Sequence, residues 1–357
     1  MSNTLAKRRY LFWAAIWDAM ATCNANTYKY LMGVFLIPHY VWTGETMYTL
    51  RTFEQRDYPE LVRIHNALFP DMPRTLKEVQ DEDRRRSERA DHRRWVVEAD
   101  GHVVASAQRE HDLWDYGPHT YMFGIQVDPD HQRKGIGALL YDTITASVKG
   151  ATKLCAWFKS SFEESVQFLE HRGFTETMRV AESCIDLNEW DESIRLEHER
   201  MVNERGIRIK SLEELANDPQ RDEKLYDLDR IAGRDVPGVT SEPTYEEWKK
   251  IVVDNPYFPH DCYLVAVDGD SYVGLTNLIK VGGGTYMVIG LTAVRREYRG
   301  MGVAKALKTN AMWRAKQRGF SRLETANEVN NTSILSLNMS LGFTRTPDWL
   351  RFDKIMK

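Results

Sequence analysis

The sequence predicts an α/β protein built twice over, each copy a mixed, mostly antiparallel β-sheet flanked by helices. Three observations carry this. Landmarks recur in the same order about one domain length apart: Asp71-Met-Pro73 and Asp235-Val-Pro237, Asp128–Leu140 and Arg295–Leu307, Arg172-Gly-Phe174 and Leu341-Gly-Phe343. Each copy has an Asp-Gly pair, Asp100-Gly101 or Asp268-Gly269, between two apolar runs, which signals a hairpin. Each also has a glycine-rich turn between an apolar strand ending in Val127 or Val294 and a long helix. Gly135 aligns with Gly302, a separation of 167 residues that marks a duplicated domain, since solenoid repeats run ~20–50 residues.

Within each copy the order is a short strand, two helices joined by a loop, the hairpin, the strand before the turn, the long helix, a strand, a helix and a last strand after Gly-Phe. The boundaries expected are 47–188 for the first domain, 189–206 for a connecting helix stopped by Gly206, and 207–357 for the second domain. The stretch Arg74–Arg94 is dense in both charges, with Asp81 and Arg85, and Glu82 and Arg86, spaced i,i+4; it reads as the solvated face of a helix. The connecting helix reads as solvated too.

Composition sets outer limits. The chain has 357 residues, 48 basic and 52 acidic side chains, and a net charge of −4. This length suits two domains. The balanced charge excludes a general nucleic-acid binder, which needs an excess of Lys and Arg against phosphate. Cys23, Cys155, Cys184 and Cys262 form no C-x-x-C pair, so neither a zinc site nor a disulfide framework is expected, and no metal site is read; a cytoplasmic location fits. The apolar runs Tyr10–Ala21 and Tyr30–Trp42 are shorter than the ~20 residues of a membrane helix. Residues 1–46 read as an N-terminal extension dispensable for folding, with Met47 as the start of the repeating unit.

The chemistry lies at the turns. Gln132-Arg-Lys-Gly-Ile-Gly137 and Arg299-Gly-Met-Gly-Val-Ala304 both fit Q/R-x-x-G-x-G/A. Glycine lets the backbone turn sharply and come close to a ligand. The first amides of the new helix lack internal acceptors and carry the positive end of its dipole, so each turn is an anion site suited to a pyrophosphate. No Gly-Lys-Ser/Thr follows, so this is not a P-loop, and the spacing and late position differ from a dinucleotide fingerprint.

With these residues in view, both halves resemble the GNAT-type N-acetyltransferases, and the chain resembles tandem GNAT proteins of the mycothiol-synthase-like kind over about residues 48–357. The second half matches more fully, through Ile289–Val294, Ala306-Leu307-Lys308, Thr325-Ala-Asn327, Asn331, Asn338 and Leu341-Gly-Phe343. The resemblance implies acetyl-coenzyme A as cofactor. Its pyrophosphate would lie on Arg299, Gly300, Met301, Gly302, Val303 and Ala304, and in the first half on Gln132, Arg133, Lys134, Gly135, Ile136 and Gly137. The strand before the turn would splay from its neighbour and offer Leu291, Thr292, Ala293 and Val294, or Ile125 and Val127, to the pantetheine arm, with Asn331 a further contact. Two family features are missing. The acid tyrosine's positions hold Leu169 and Asn338, and the glutamate's positions hold Phe123 and Gly290. Phe162 stands where the second half has Asn331.

The resemblance implies transfer of an acetyl group to a primary amine of a small-molecule or peptide acceptor, by a monomer or homodimer, with the second domain catalytic. A backbone amide near Val294 would stabilise the oxyanion. Thr292 and Tyr286, with His260 and Asp261, are the polar side chains considered for proton transfer. Asp71 and Asp235 are the residues considered for pairing with a cationic amine in clefts bordered by 69–73 and 234–238. The rival expectation is a coenzyme A-binding sensor or scaffold without transferase activity, prompted by the missing Tyr and Glu.

Overall fold

The computed structural model describes residues 39–43, 46–113, 115–236 and 239–356. In the first half, strands β1 (His39–Thr43) and β2 (Thr46–Thr52) lead to helices α1 (Tyr58–Leu68) and α2 (Leu76–Arg85). Then come β3 (Arg93–Ala99), β4 (His102–Glu110), β5 (Thr120–Val127), α3 (Ile136–Ser147), β6 (Lys153–Lys159), α4 (Glu163–Glu170) and β7 (Thr175–Asp186). Helix α5 (Ser193–Asn203) connects to the second half, with β8 (Ile207–Ser211), α6 (Arg221–Gly233), α7 (Tyr245–Ile251), β9 (Tyr263–Asp268), β10 (Ser271–Val281), β11 (Tyr286–Val294) and α8 (Val303–Gln317). It closes with β12 (Arg322–Glu328), α9 (Thr332–Ser340), β13 (Thr344–Arg345) and β14 (Trp349–Ile355).

Local chemistry sets these bounds. Thr75 and Thr244 cap α2 and α7 in reciprocal capping boxes with Glu78 and Glu247. The first hairpin turns on Asp100 and Gly101, both at positive φ (51° and 80°), the conformation that strand twist favours in a two-residue loop. β1 pairs antiparallel with β2 from His39↔Leu50 to Thr43↔Thr46, so the first sheet starts ahead of Met47. The expectation for residues 1–38 lies outside the described residues.

The sheet runs β1-β2-β3-β4-β5-β6-β14-β7-β12-β11-β10-β9-β8, with β13 on β7. The closing strands are exchanged: β14 of the second half pairs with β6, and β7 of the first half pairs with β12. They carry core with them. Leu350 and Phe352 pack in the first-half core with Leu140, Leu154 and Phe174. Ile185 and Leu187 pack in the second-half core with Leu307, Leu323 and Phe343. A cut of the chain at residue 188 therefore does not divide the sheet, which runs on through β14 and β7.

Two expectations of solvated helices are corrected. α5 ends as expected at Gly206, at φ 83°, but Val202 is fully buried in the second-half core and Arg195 lies over the Trp313 ring at 4.6 Å. α2 forms the Glu82–Arg86 pair (3.3 Å), while Asp81 pairs with Lys77 (2.6 Å) and Arg84, and not with Arg85. The helix also docks on the second half: Tyr257 donates to Asp81 (2.7 Å), Arg85 covers the Tyr257 ring, and the Gly283 amide donates to Glu78 (2.9 Å). In return, the segment after α6 reaches the β4–β5 loop, where Ser241 donates to the Leu113 carbonyl and accepts from the Tyr116 amide, each at 2.8 Å.

Under α6 and α7 the Trp248 indole N–H donates to the buried Asp229 carboxylate. Burial pushes this carboxyl up to about 6 from an ordinary 3.8. The folded state thus holds a proton that the unfolded chain has released, and Asp229 costs stability as pH rises through that window, up to about 3 kcal/mol. Asp229→Asn, which keeps an oxygen acceptor, is expected to be more stable than the wild type above pH 6, with the advantage shrinking towards pH 4. Urea denaturation of both proteins across this range checks the sign.

Candidate active site

β11 keeps company with β12 only briefly. The parallel ladder covers Met287↔Leu323, Val288↔Glu324 and Ile289↔Thr325, yet β11 continues to Val294, still paired with β10 on its other side. The edge from Gly290 to Val294 is free towards β12, and a wedge opens. In the first half the ladder covers Thr120–Met122 on Lys153–Cys155, and β5 runs on unpaired to Val127 on that side. The structure therefore places Leu291, Thr292, Ala293 and Val294, and Ile125 and Val127, along the two wedges.

The two wedges differ in one backbone feature. Between Thr276↔Thr292 and Leu278↔Ile289 the register shifts, so Gly290 and Leu291 oppose the single residue Asn277. This is a β-bulge, which bends a strand and re-aims its groups. Buried Asn277 holds it by accepting the Leu291 amide on Oδ1 at 3.0 Å. A Cβ on Gly290 would fall 2.6 Å from that oxygen, so glycine is required there. The Leu291 amide is accordingly engaged, and the free amides of the wedge lie beyond it. The first half pairs Ala105↔Val127 through Glu110↔Met122 without a shift, so β5 has no bulge.

Both turns take the form the sequence predicts. Gly302 (φ 85°) caps α8 and Gly135 (φ 78°) caps α3, and a Cβ at either would meet nothing within 4 Å. The amides of Ala306 and Leu139 bond back to Gly302 and Gly135. Those of Val303, Ala304 and Lys305, and of Ile136, Gly137 and Ala138, precede any such acceptor. Gly300 is also left-handed (φ 75°), whereas the first half puts Arg133 there at φ 62°, a conformation that costs a non-glycine residue about 1 kcal/mol. The Q/R position has a structural role: Gln132 Nε2 donates to the Val127 carbonyl (3.2 Å) and Arg299 Nε to that of Val294 (3.1 Å), tying strand end to turn. Lys134 Nζ donates to the Asp130 carbonyl. Met301 packs against the second-half core.

Asp235 pairs with Arg296 (2.6 Å) and with Arg299, which hold its carboxyl down at about 2. It therefore lies beside the glycine turn, engaged by two guanidiniums; Pro237 and Gly238 of its loop lie outside the described residues. Arg299→Ala is expected to weaken coenzyme A binding only a few-fold, since the helix amides remain; calorimetry measures it.

The other residues singled out from sequence separate by place. Thr292 shares a hydrogen bond with the Thr276 hydroxyl at 2.8 Å. Tyr286 is buried at the far end of β11, with Arg322 over its ring at 5.0 Å. His260 bonds the Val253 carbonyl, and Asp261 takes a bidentate pair from Arg318, next to the C-terminus of α8 and a helix length from the glycine turn. Asn331 caps α9 through the Ile334 amide (3.4 Å), and Phe162 stands at the same point of α4. Asn338 is buried and donates to Asn327 Oδ1 at 2.8 Å. The Asp71 backbone carbonyl receives Arg322 Nη1 (3.3 Å), a contact between the first half's 69–73 loop and the first residue of the second half's β12.

Sequence reasoning passed over three residues here: Asn277, Glu182 and Glu324. Glu182 accepts from Lys159, Thr346 (2.8 Å) and Trp349 (2.9 Å), and these partners hold its carboxyl below the usual range despite burial. Glu324 pairs only with Arg322, and burial raises its carboxyl. The signal available was an acidic residue next to an apolar one inside a strand, Leu323-Glu324 in β12 and Ala181-Glu182 in β7.

The acetyltransferase (GNAT) family model matches residues 53–174 and 223–343, one match in each half and together more than half the chain. The chain belongs to the GNAT acetyltransferase family. Its fold is that of tandem GNAT structures. A tandem GNAT protein from the clavulanic acid biosynthesis pathway superposes with a TM-score of 0.67 at 17% identity, over 86% of this chain and 98% of that one. A GCN5-related N-acetyltransferase from Sphaerobacter thermophilus does so at 0.62 and 18%, over 86% and 95%. A glucosamine N-acetyltransferase region of a fungal multi-domain β-N-acetylglucosaminidase does so at 0.64 and 15%, over 86% and 38%. No curated protein sequence matches the chain. Among the described residues of this GNAT chain, no helix is long and apolar enough to cross a membrane, and no group of His, Cys, Asp and Glu is placed to hold a metal ion.

Proposed function

We propose that the chain is an acetyl-coenzyme A-dependent N-acetyltransferase that acetylates a primary amine in its second half, while the first half completes the fold and borders the acceptor side. The observation that carries this is the bulge at Gly290-Leu291, present in β11 and absent from β5. It re-aims the groups of the strand along the wedge, next to a turn with two left-handed glycines, Gly300 and Gly302. The residues fit the cofactor: a Cβ at Gly302 would meet nothing within 4 Å, the first amides of α8 would hold the pyrophosphate, and the free edge from Thr292 to Val294 would bond the amide-rich arm. The cofactor supplies an activated acetyl thioester, and the chain holds it in reach of the amine, a positioning effect that itself accelerates transfer.

The alternative is a coenzyme A-binding module without turnover. It is favoured by Asn338 and Gly290, which stand where an acid tyrosine and a glutamate would be expected. Release of free thiol from acetyl-coenzyme A with a pool of amino sugars, polyamines and amino acids separates the two. Amine-dependent release is expected, lost in Gly302→Trp and largely kept in Gly135→Trp. Equal loss from both variants would overturn the assignment of the reaction to the second half, and binding without release would favour the module.

A further inference from the structure

We propose that Glu324 is the base that takes the proton from the acceptor amine, an inference that rests on the transferase reading of the second half. Its place in the sheet is the first reason. Glu324 pairs with Val288, one step before the last ladder pair Ile289↔Thr325, so it stands at the throat of the wedge. Leu323 points into the core under α8. Strand residues alternate in direction, so Glu324 faces the opposite side of the sheet. Arg322, two residues earlier on the same face, reaches the Asp71 carbonyl of the first half's 69–73 loop. Gly290, on the neighbouring strand, contributes no side chain and has no room for one. Asn277 and Ile279 of β10 fill the space beside Gly290, so on this part of the wedge the acidic side chain comes from β12 and not from β11.

Burial is the second reason. Glu324 is 2% exposed, and a carboxylate there is costly to keep in a strand unless it is well paired. Its single ionic partner, Arg322, is itself shared with the Asp71 carbonyl and the face of Tyr286. Cys184 is directly opposite Glu324 on β7, which makes Glu182 its diagonal neighbour on the same face. The charged groups around it are therefore Arg322 on its own strand, Glu182 on β7, and Lys159 on β6, while Tyr286 faces it from β11. Glu182 accepts from Lys159, Thr346 and Trp349, which hold it ionised. Burial raises the proton affinity of Glu324, the Arg322 charge opposes this, and the Glu182 charge adds a smaller push upward. Two neighbouring carboxyls pushed in opposite directions divide into a structural charge and a proton acceptor.

In the step that follows, the amine nitrogen attacks the thioester carbonyl carbon, a C–N bond forms, and the C–S bond breaks with its electron pair leaving on sulfur. The N–H proton passes to the Glu324 carboxylate, directly or through one water, and from there to solvent. The test is steady-state kinetics of the full chain with the best acceptor from the amine pool. Glu324→Gln is expected to lower kcat about 100-fold, the low end for a lost general base. Its coenzyme A affinity by calorimetry and its melting temperature should stay near wild type, because Gln keeps the shape and removes a buried charge. The variant's kcat should keep climbing up to pH 9.5 as hydroxide takes over, where the wild type has levelled off, and Glu324→Asp should recover part of the loss. An active wild type with Glu324→Gln within threefold of it in kcat, or a loss of kcat matched by loss of cofactor affinity, would overturn the assignment alone. A wild type that releases no thiol with any amine would overturn this inference together with the transferase reading.

Discussion

Gly302→Trp is expected to weaken coenzyme A binding in the second half at least about 100-fold, the loss of two charge-assisted hydrogen bonds of about 1.5 kcal/mol each. A Cβ at Gly302 meets no atom within 4 Å, so a bulky side chain there extends into the space in front of the turn, which the phosphates need. Any L-residue at φ 85° is also strained, at a cost of about 1–2 kcal/mol. Gly302→Ala bears the same strain with little bulk, and so separates the two effects. It should lose stability in a urea melt much as Gly302→Trp does, and keep most of its affinity by calorimetry. If Gly302→Trp bound at wild-type affinity at the second-half site, the phosphate turn would be misassigned.

Neither half is expected to fold alone. Residues 47–188 lack β14, and with it Leu350 and Phe352 from a core that also holds Phe158, Leu154 and Leu140. Residues 207–357 lack β7 and α5, and with them Ile185, Leu187, Trp190 and Val202. Losing one large buried side chain costs about 3–5 kcal/mol, and losing several exceeds the 5–15 kcal/mol of a typical domain. Each fragment should show no cooperative urea transition. Phe352→Ala in the full chain should cost about 3–5 kcal/mol, felt in the first half although the residue belongs to the second. A fragment 47–188 with a sharp unfolding transition would contradict the exchange of strands.

The turns and the duplication were legible because both depend on local chemistry. Gly135 and Gly302 sit where the chain must take a left-handed conformation between strand and helix, and Asp100-Gly101 where a hairpin must turn. Partners across the sheet were not legible. β7 and β14 follow Gly-Phe in equivalent places, and an apolar alternation states that a strand is half buried without stating which neighbour it meets. The same limit applies to α2, whose charges read as solvated because its partners Tyr257 and Gly283 lie 176 and 205 residues further on. At the site, the wedge residues were placed from resemblance, whereas the bulge was missed: it depends on Asn277 filling the space beside Gly290, a contact across two strands. Glu324 was missed for a related reason, since its significance comes from burial and from Glu182 on a strand of the other half.

The most direct test of the account is a crystal structure of the full chain with acetyl-coenzyme A. The expected result is a cofactor in the second half, its pyrophosphate on the amides from Gly300 to Lys305, its arm along the free edge of Thr292 to Val294, and its thioester in the wedge within reach of Glu324. A cofactor held only between β5 and β6, or density in the second half that avoids the β11–β12 wedge, would contradict it.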